Sequence, residues 1–254
     1  MQSNDAPPFG HWDLGFDSDF GFRISDFIRL TESPALDRSP ERSYRTRDNL
    51  NHLENTMSEP LSKAALDTIF LEARTYPGWL PKPVDDDLLR RVYDLAKFGP
   101  TSANTMPMRV VFVKSQAAKE RLKPTLMPGN VDKTMAAPVC AIVAFDMLFH
   151  EFIPKLWFDP SFAQLFTKPG MEEFTKAHAF RNGSLQGAYL IIAARALGLD
   201  CGPMSGFDNA KVDAEFFPDG RWKSNFLINM GYGDPSKLKP RNERLTFDEA
   251  CKIV

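Results

Sequence analysis

The stretch FGPTSANTMPMRVVFV, Phe98–Val113, holds three kinds of local pattern in succession. Phe98 and Gly99 close an amphipathic helix. Pro100, Thr101, Ser102, Asn104 and Pro107 form an abrupt polar turn, and Met108–Val113 is a β-branched, apolar strand. The turn is rich in hydrogen-bonding groups and nearly free of apolar side chains. Such a rigid polar segment between two regular elements is a candidate for holding something.

Working outward, PVDDDLLRRVYDLAKFG is the preceding helix. Asp85, Asp86 and Asp87 stand where the helix dipole favours negative charge, and Leu88, Val92, Leu95 and Ala96 are predicted to form its apolar face. Further upstream, Leu66, Ile69, Phe70 and Ala73 follow helical spacing behind a Ser62 cap. Downstream, QAAKERLKPTL is a short helix. APVCAIVAFD is an apolar run that predicts a strand buried on both faces. Residues 172–197 predict a long helix whose second half, AYLIIAARALG, is central, with Gly198 as its stop. LDCGPMSGFD is a short extended piece and turn, NAKVDAEFF a helix and SNFLINMGYGD a strand. Thr246 with Glu249 signals a capping box for a last short helix. Helices outnumber strands without regular alternation, so the fold class is α+β, or a three-layer arrangement of helices and sheet, rather than a doubly wound sheet.

Composition narrows the function classes. The chain has 254 residues, 43% hydrophobic and 25% charged, which fits one domain with an appendage. A net charge of -2 gives no global attraction to nucleic acid or to an anionic membrane. Apolar runs such as Ala188–Leu197 are interrupted by Arg195 and too short to span a bilayer. Asp5, Asp13, Asp17 and Asp19 break up any apolar leader. Cys140, Cys201 and Cys251 are sparse, odd in number and far apart, which predicts buried thiols in a reducing, cytoplasmic setting. Residues 1–57 alternate Asp, Ser, Pro and Arg with little periodicity and read as a disordered extension, leaving 58–254 as the folded domain. MSEPLSKAALDTIF, from Met57, looks like a natural start; intact mass of the native protein tests that. FGFRISDFIRL within the extension is a candidate partner-binding segment.

Several chemistries are excluded by what is missing. No GxGxxG follows the first strand, and there is no GxxxxGK[ST]. His11, His52, His150 and His178 have no partners at metal-ligand spacing, and His178 reads as a packed or surface residue. Ser205 in GPMSGF lacks the nucleophile-elbow frame. What remains is a set of basic and amide side chains at loop and helix ends: Arg74, Ser102, Asn104, Asn130, Lys133, Lys239 and Arg241. Each alone is an ordinary surface residue. Together they suit a phosphorylated heteroaromatic ligand, since arginine pairs bidentately with phosphate and amides match the edge of a ring.

Five segments in order carry a family resemblance: LEARTYPGW, GPTSANTMPMRVVF, GNVDKTMAAPV, FRNGSLQGAYLIIAARALGLDCGPMSGFD, and INMGYGDPSKL with PRNERLTFDEA. Over about residues 57–254 the chain resembles the nitroreductase superfamily, and within it the branch that includes the malonic semialdehyde reductase of the Rut pyrimidine-degradation pathway. The resemblance implies a three-layer α+β fold with a central, mostly antiparallel sheet flanked by helices. It further implies a homodimer with FMN at the subunit interface. On the matching positions, Arg74, Thr75 and Tyr76 form the phosphate-side turn, and Lys239 and Arg241 are the C-terminal basic pair near the phosphate. Pro100, Thr101, Ser102 and Asn104 are the segment lent to the neighbouring subunit's flavin. Asn130 and Lys133 address the pyrimidine edge, with Lys133 stabilising the reduced ring's negative charge. Ser205 and Gly206 form the turn beside the ring, where many relatives carry an acid instead of Ser205. The implied activity is FMN-dependent NAD(P)H oxidoreduction in a ping-pong cycle, with malonic semialdehyde giving 3-hydroxypropionate and Arg181 as a candidate contact for the substrate carboxylate. The alternatives are a nitroaromatic, quinone or enone acceptor, or a flavin-binding protein with little turnover. Neither nucleic acid nor membrane is an expected partner. EFIPKLWFDPSFAQLF, Glu151–Phe166, reads either as a lid or dimer-wrapping excursion or as a buried connection.

Overall fold

The computed structural model describes residues 59–254. The extension, the Met57 start and the FGFRISDFIRL segment lie outside these residues. Four strands, β1 (Met108–Val113), β2 (Val139–Asp146), β3 (Asp200–Met204) and β4 (Trp222–Gly231), form one sheet in the order β1-β2-β4-β3. Every neighbouring pair is antiparallel, and a bulge sits between Val143 and Ala144 where β2 meets β4. Helices α1 (Lys63–Leu66), α2 (Asp86–Ala96), α3 (Gln116–Leu122) and α4 (Pro128–Ala136) precede β2. The rest are α5 (Ile153–Leu156), α6 (Glu172–Ala196), α7 (Asn209–Phe216) and α8 (Phe247–Ala250).

Strand β2 explains the layering. All of its residues are buried, as an apolar run with no polar face requires. Its alternation sends Val139, Ala141 and Val143 into a core shared with Val92, Ala96, Leu190 and Ala194 of α2 and α6. Cys140, Ile142 and Ala144 enter a second core with Leu122 of α3 and Val212 of α7. The sheet is thus covered on both faces. Burying each such aliphatic side chain contributes roughly 1.5–3 kcal/mol, and no single one dominates.

Capping sets the helix ends. Ser62 accepts from the amide of Ala65, and Ser115 from that of Ala118. Gly198, at φ 79°, ends α6, and the Thr246 amide donates to Glu249 at 2.8 Å. Two expectations are corrected. The apolar face of α2 is Leu89, Val92 and Ala96, with Leu88 at its margin, whereas Leu95 is exposed; the helix is rotated so that its i, i+3, i+7 row meets α6. The first helix passes after Leu66 into a π-helical turn, Asp67–Leu71, which stops before Ala73. GNVDKTMA, for which no helix was anticipated, forms α4.

The 151–166 segment is a series of short helical turns around α5. Phe149, Ile153 and Phe166 pack with Phe145 of β2 and Ala179 of α6 as a third, smaller core. It is therefore partly a buried connection, while Phe158 is left 83% exposed. Asp146, almost wholly buried, anchors it: Arg109 reaches Oδ2 at 2.7 Å and Arg221 reaches Oδ1 at 3.0 Å, with Phe152 beneath both guanidinium groups. No helix among the described residues is long and apolar enough to cross a membrane.

Candidate active site

The turn that follows α1 lies against the β3 edge of the sheet. Thr75 bridges to Cys201, and the Tyr76 amide donates to the Cys201 carbonyl at 3.3 Å. This approach needs glycine at two places. A Cβ on Gly202 would stand 2.9 Å from the Tyr76 carbonyl oxygen, and one on Gly233 would stand 2.1 Å from the Tyr76 ring. The C-terminal segment then folds over the same turn. Arg74 donates to the carbonyl of Lys239 at 2.6 Å, and Arg241 donates to the carbonyls of Leu71 at 2.8 Å and Ala73 at 3.1 Å. The two arginines lace the segments together and still keep further N–H donors.

These elements enclose a cleft of about 810 Å³. Its walls bring together Arg74, Thr75, Tyr76, Lys133, Lys239 and Arg241 of the expected site, and add Arg195 and Arg244, which the sequence reading missed. Six walls are basic and none is acidic. Among the described residues none of the six forms an ion pair. Converging, unpaired cations repel one another, and an anion relieves them. Among the described residues two buried polar side-chain atoms lack a partner, and one of them belongs to this cleft. That one is Nε of Arg195; the other, Oδ1 of Asn229, lies on β4 opposite Gly202. The Tyr76 phenol is pushed up by burial and by the Asp200 carboxylate, against the opposing pull of Arg74, and so stays protonated as a donor.

Helix α4 supplies the adjoining wall. The Lys133 carbonyl accepts from the Trp79 indole at 2.9 Å, and Lys119, whose burial lowers its pKa, donates to the carbonyls of Met135 and Ala137 at the end of α4. Asn130 donates to the Gly206 carbonyl at 2.6 Å, which ties α4 to the Ser205–Gly206 turn. A Cβ on Gly206 would fall 2.3 Å from the Asn130 amide. Ser205 itself is exposed.

Pro100, Thr101, Ser102 and Asn104 do not line this cleft. Asn104 donates to the Leu156 carbonyl at 3.0 Å, and Thr101 accepts from the Met106 amide at 3.2 Å. Ala103, Asn104 and Met106 sit at φ 49°, 49° and 42°, a left-handed region that costs a non-glycine residue roughly 1–2 kcal/mol. Arg181 is exposed on α6 and also outside the cleft. A second cleft of about 870 Å³ runs along β1 and α2, but its charges have mixed signs, and Asp86 is paired with Lys114.

The model of the nitroreductase family matches residues 72–232, which include the Arg74–Tyr76 turn, the shelf at Pro100–Asn104, α4 and the sheet. The chain belongs to the nitroreductase family. A Ralstonia nicotianae protein provisionally named NADH dehydrogenase/NAD(P)H nitroreductase is 57% identical over 194 residues, covering 76% of this chain and 98% of its own. Among solved structures, a provisionally named nitroreductase of Bacillus subtilis superposes with a TM-score of 0.68 at 21% identity, covering 76% of this chain and 100% of its own. A provisionally named nitroreductase of Exiguobacterium sibiricum, crystallised in complex with FMN, gives 0.67 at 15% identity, covering 78% and 100%. At these identities the two crystal structures speak for the nitroreductase fold alone. The four-stranded antiparallel sheet between helices agrees with the fold expected from the sequence.

Proposed function

We propose that this nitroreductase-family protein is an FMN-dependent NAD(P)H oxidoreductase acting on a small molecule. The observation that carries the reading is the six-cation cleft without an acidic wall. Its donor set fits a flavin mononucleotide: arginines for the phosphate dianion and Lys133 for the polar edge of the ring, with Asn130 on the adjoining helix bracing the Gly206 turn. Bound there, FMN would supply the hydride-transfer chemistry between a nicotinamide and an acceptor. Arg74, Lys239 and Arg241 would hold the phosphate, and Gly206, whose side-chain space Asn130 fills, would fix the turn beside that wall.

The reading includes a homodimer. The shelf at Pro100–Asn104 and the basic cleft are separate in one chain, so each is half of a site that a second copy completes. Exposed apolar residues on α2 and α6 support this: Leu95, Tyr93, Leu185 and Tyr189, with Phe98 at 78% exposure. The finer assignment, reduction of malonic semialdehyde to 3-hydroxypropionate, is supported by the resemblance of residues 57–254 to the Rut branch. Arg181, exposed and without an ion pair among the described residues, is available to the substrate carboxylate.

An anaerobic visible spectrum of the purified protein, before and after NADH or NADPH, tests the proposal. We expect a flavin spectrum that bleaches on reduction and returns when malonic semialdehyde is added. Return only with a quinone, enone or nitroaromatic keeps the cofactor and removes the substrate. A colourless protein that FMN cannot reconstitute overturns the whole reading.

A further inference from the structure

Helix α6 is apolar through much of its buried surface, yet it buries His178, Asn182 and Gln186 at 9%, 3% and 2% exposure. Their spacing, i, i+4 and i+8, puts them on one face along about 12 Å of helix. All three bond to one segment. His178 Nε2 lies 3.0 Å from the Thr105 hydroxyl, Asn182 Oδ1 accepts from the Ser102 amide at 2.8 Å, and Gln186 Oε1 accepts from the Met108 amide at 3.0 Å. The Thr105 hydroxyl donates its one proton to the Ser102 carbonyl at 3.0 Å, so His178 is the donor in the first contact. The imidazole stacks on Phe149 at 5.1 Å and has no ion pair among the described residues, which suits a neutral ring.

The segment so held contains the three left-handed residues Ala103, Asn104 and Met106. A plain connection from α2 to β1 needs neither that strain nor three buried polar side chains; strained backbone persists where its surroundings over-determine it. The ladder takes up the inward groups, namely the Ser102 and Met108 amides and the Thr105 hydroxyl. Ser102 and Asn104 remain exposed on the outer side. We propose that His178, Asn182 and Gln186 are positioning residues that hold the Pro100–Met108 shelf in its ligand-binding shape before the cofactor arrives. This rests on the reading of the shelf as part of an FMN site.

Thr105 is fully buried, and its hydroxyl bonds to the Ser102 carbonyl and to His178, so changing it tests the ladder. In the full-length protein we would measure the FMN dissociation constant by flavin fluorescence, and the urea midpoint of the flavin-free form. Thr105→Val should weaken FMN binding about tenfold, which is ~1.4 kcal/mol. Thr105→Ser, which keeps the hydroxyl, should stay within about twofold. His178→Phe keeps the ring packing and should match Thr105→Val, and the double variant should be no weaker than either, because one link is lost in all three. Equal FMN affinity across the series, with only the urea midpoint falling, overturns the positioning role and leaves the FMN reading standing. Wild-type protein that binds no FMN overturns both.

Discussion

At the scale of the residue, His178 shows how one side chain's surroundings set its chemistry. Burial chiefly, and then the charge of Arg181, push its pKa down to about 4. Between pH 4 and 6.5 the unfolded chain therefore binds more protons at this position than the folded one. The contribution is absent above pH 6.5 and destabilises progressively as the pH falls towards 4, to a limit on the order of 3 kcal/mol. Carboxylates titrate in the same range, so the comparison must be with His178→Phe. Urea unfolding from pH 7 to pH 4 should show a steeper loss for the wild type than for the variant; parallel curves would remove this account. The sequence allowed a packed His178, but nothing near it in the chain names Thr105 or Phe149 as neighbours. Arg195 gave a fainter signal, a cation inside AYLIIAARALG, and its exposure to the cleft depends on a turn more than a hundred residues away.

At the scale of the element, the site is made where irregular segments meet the sheet edge. The Arg74–Tyr76 turn approaches β3 only because Gly202 and Gly233 carry no side chain. Gly233→Ala should push the Tyr76 ring out of place and weaken FMN binding by at least tenfold, while β4, which ends at Gly231, keeps its pairing. Fluorescence titration with circular dichroism checks both halves; unchanged affinity would mean that the turn accommodates the methyl group. Element boundaries were legible where the pattern was strong. The almost wholly apolar β2 and the long α6 formed as read, and Ser62 and Gly198 capped where expected. Helix α4 was not legible, because GNVDKTMA has only a weak apolar period and depends on Lys119 to satisfy its final carbonyls. The α2 face was misjudged by one position, since periodicity fixes a stripe's width but not which edge its neighbour covers.

At the scale of the whole molecule, the shelf and the basic cleft stand apart in one chain, and under the proposed dimer the exposed apolar groups on α2 and α6 are where a second copy would pack. Sedimentation should give a mass near twice 28.7 kDa. Phe98→Glu should yield a monomer that has lost FMN but keeps its helical signal; a monomeric wild type with bound flavin would defeat the dimeric site. By itself the sequence determined the fold class, the helix caps, the doubly buried strand and most of the basic residues, because these follow from local periodicity, backbone preference and charge. Only the tertiary structure decided that Arg74 and Arg241 lace two distant segments, that the shelf stands apart from the cleft in its own chain, and that three buried polar groups of α6 hold it. Those facts depend on long-range packing, where a partner is chosen by shape and hydrogen-bond satisfaction rather than by position along the chain.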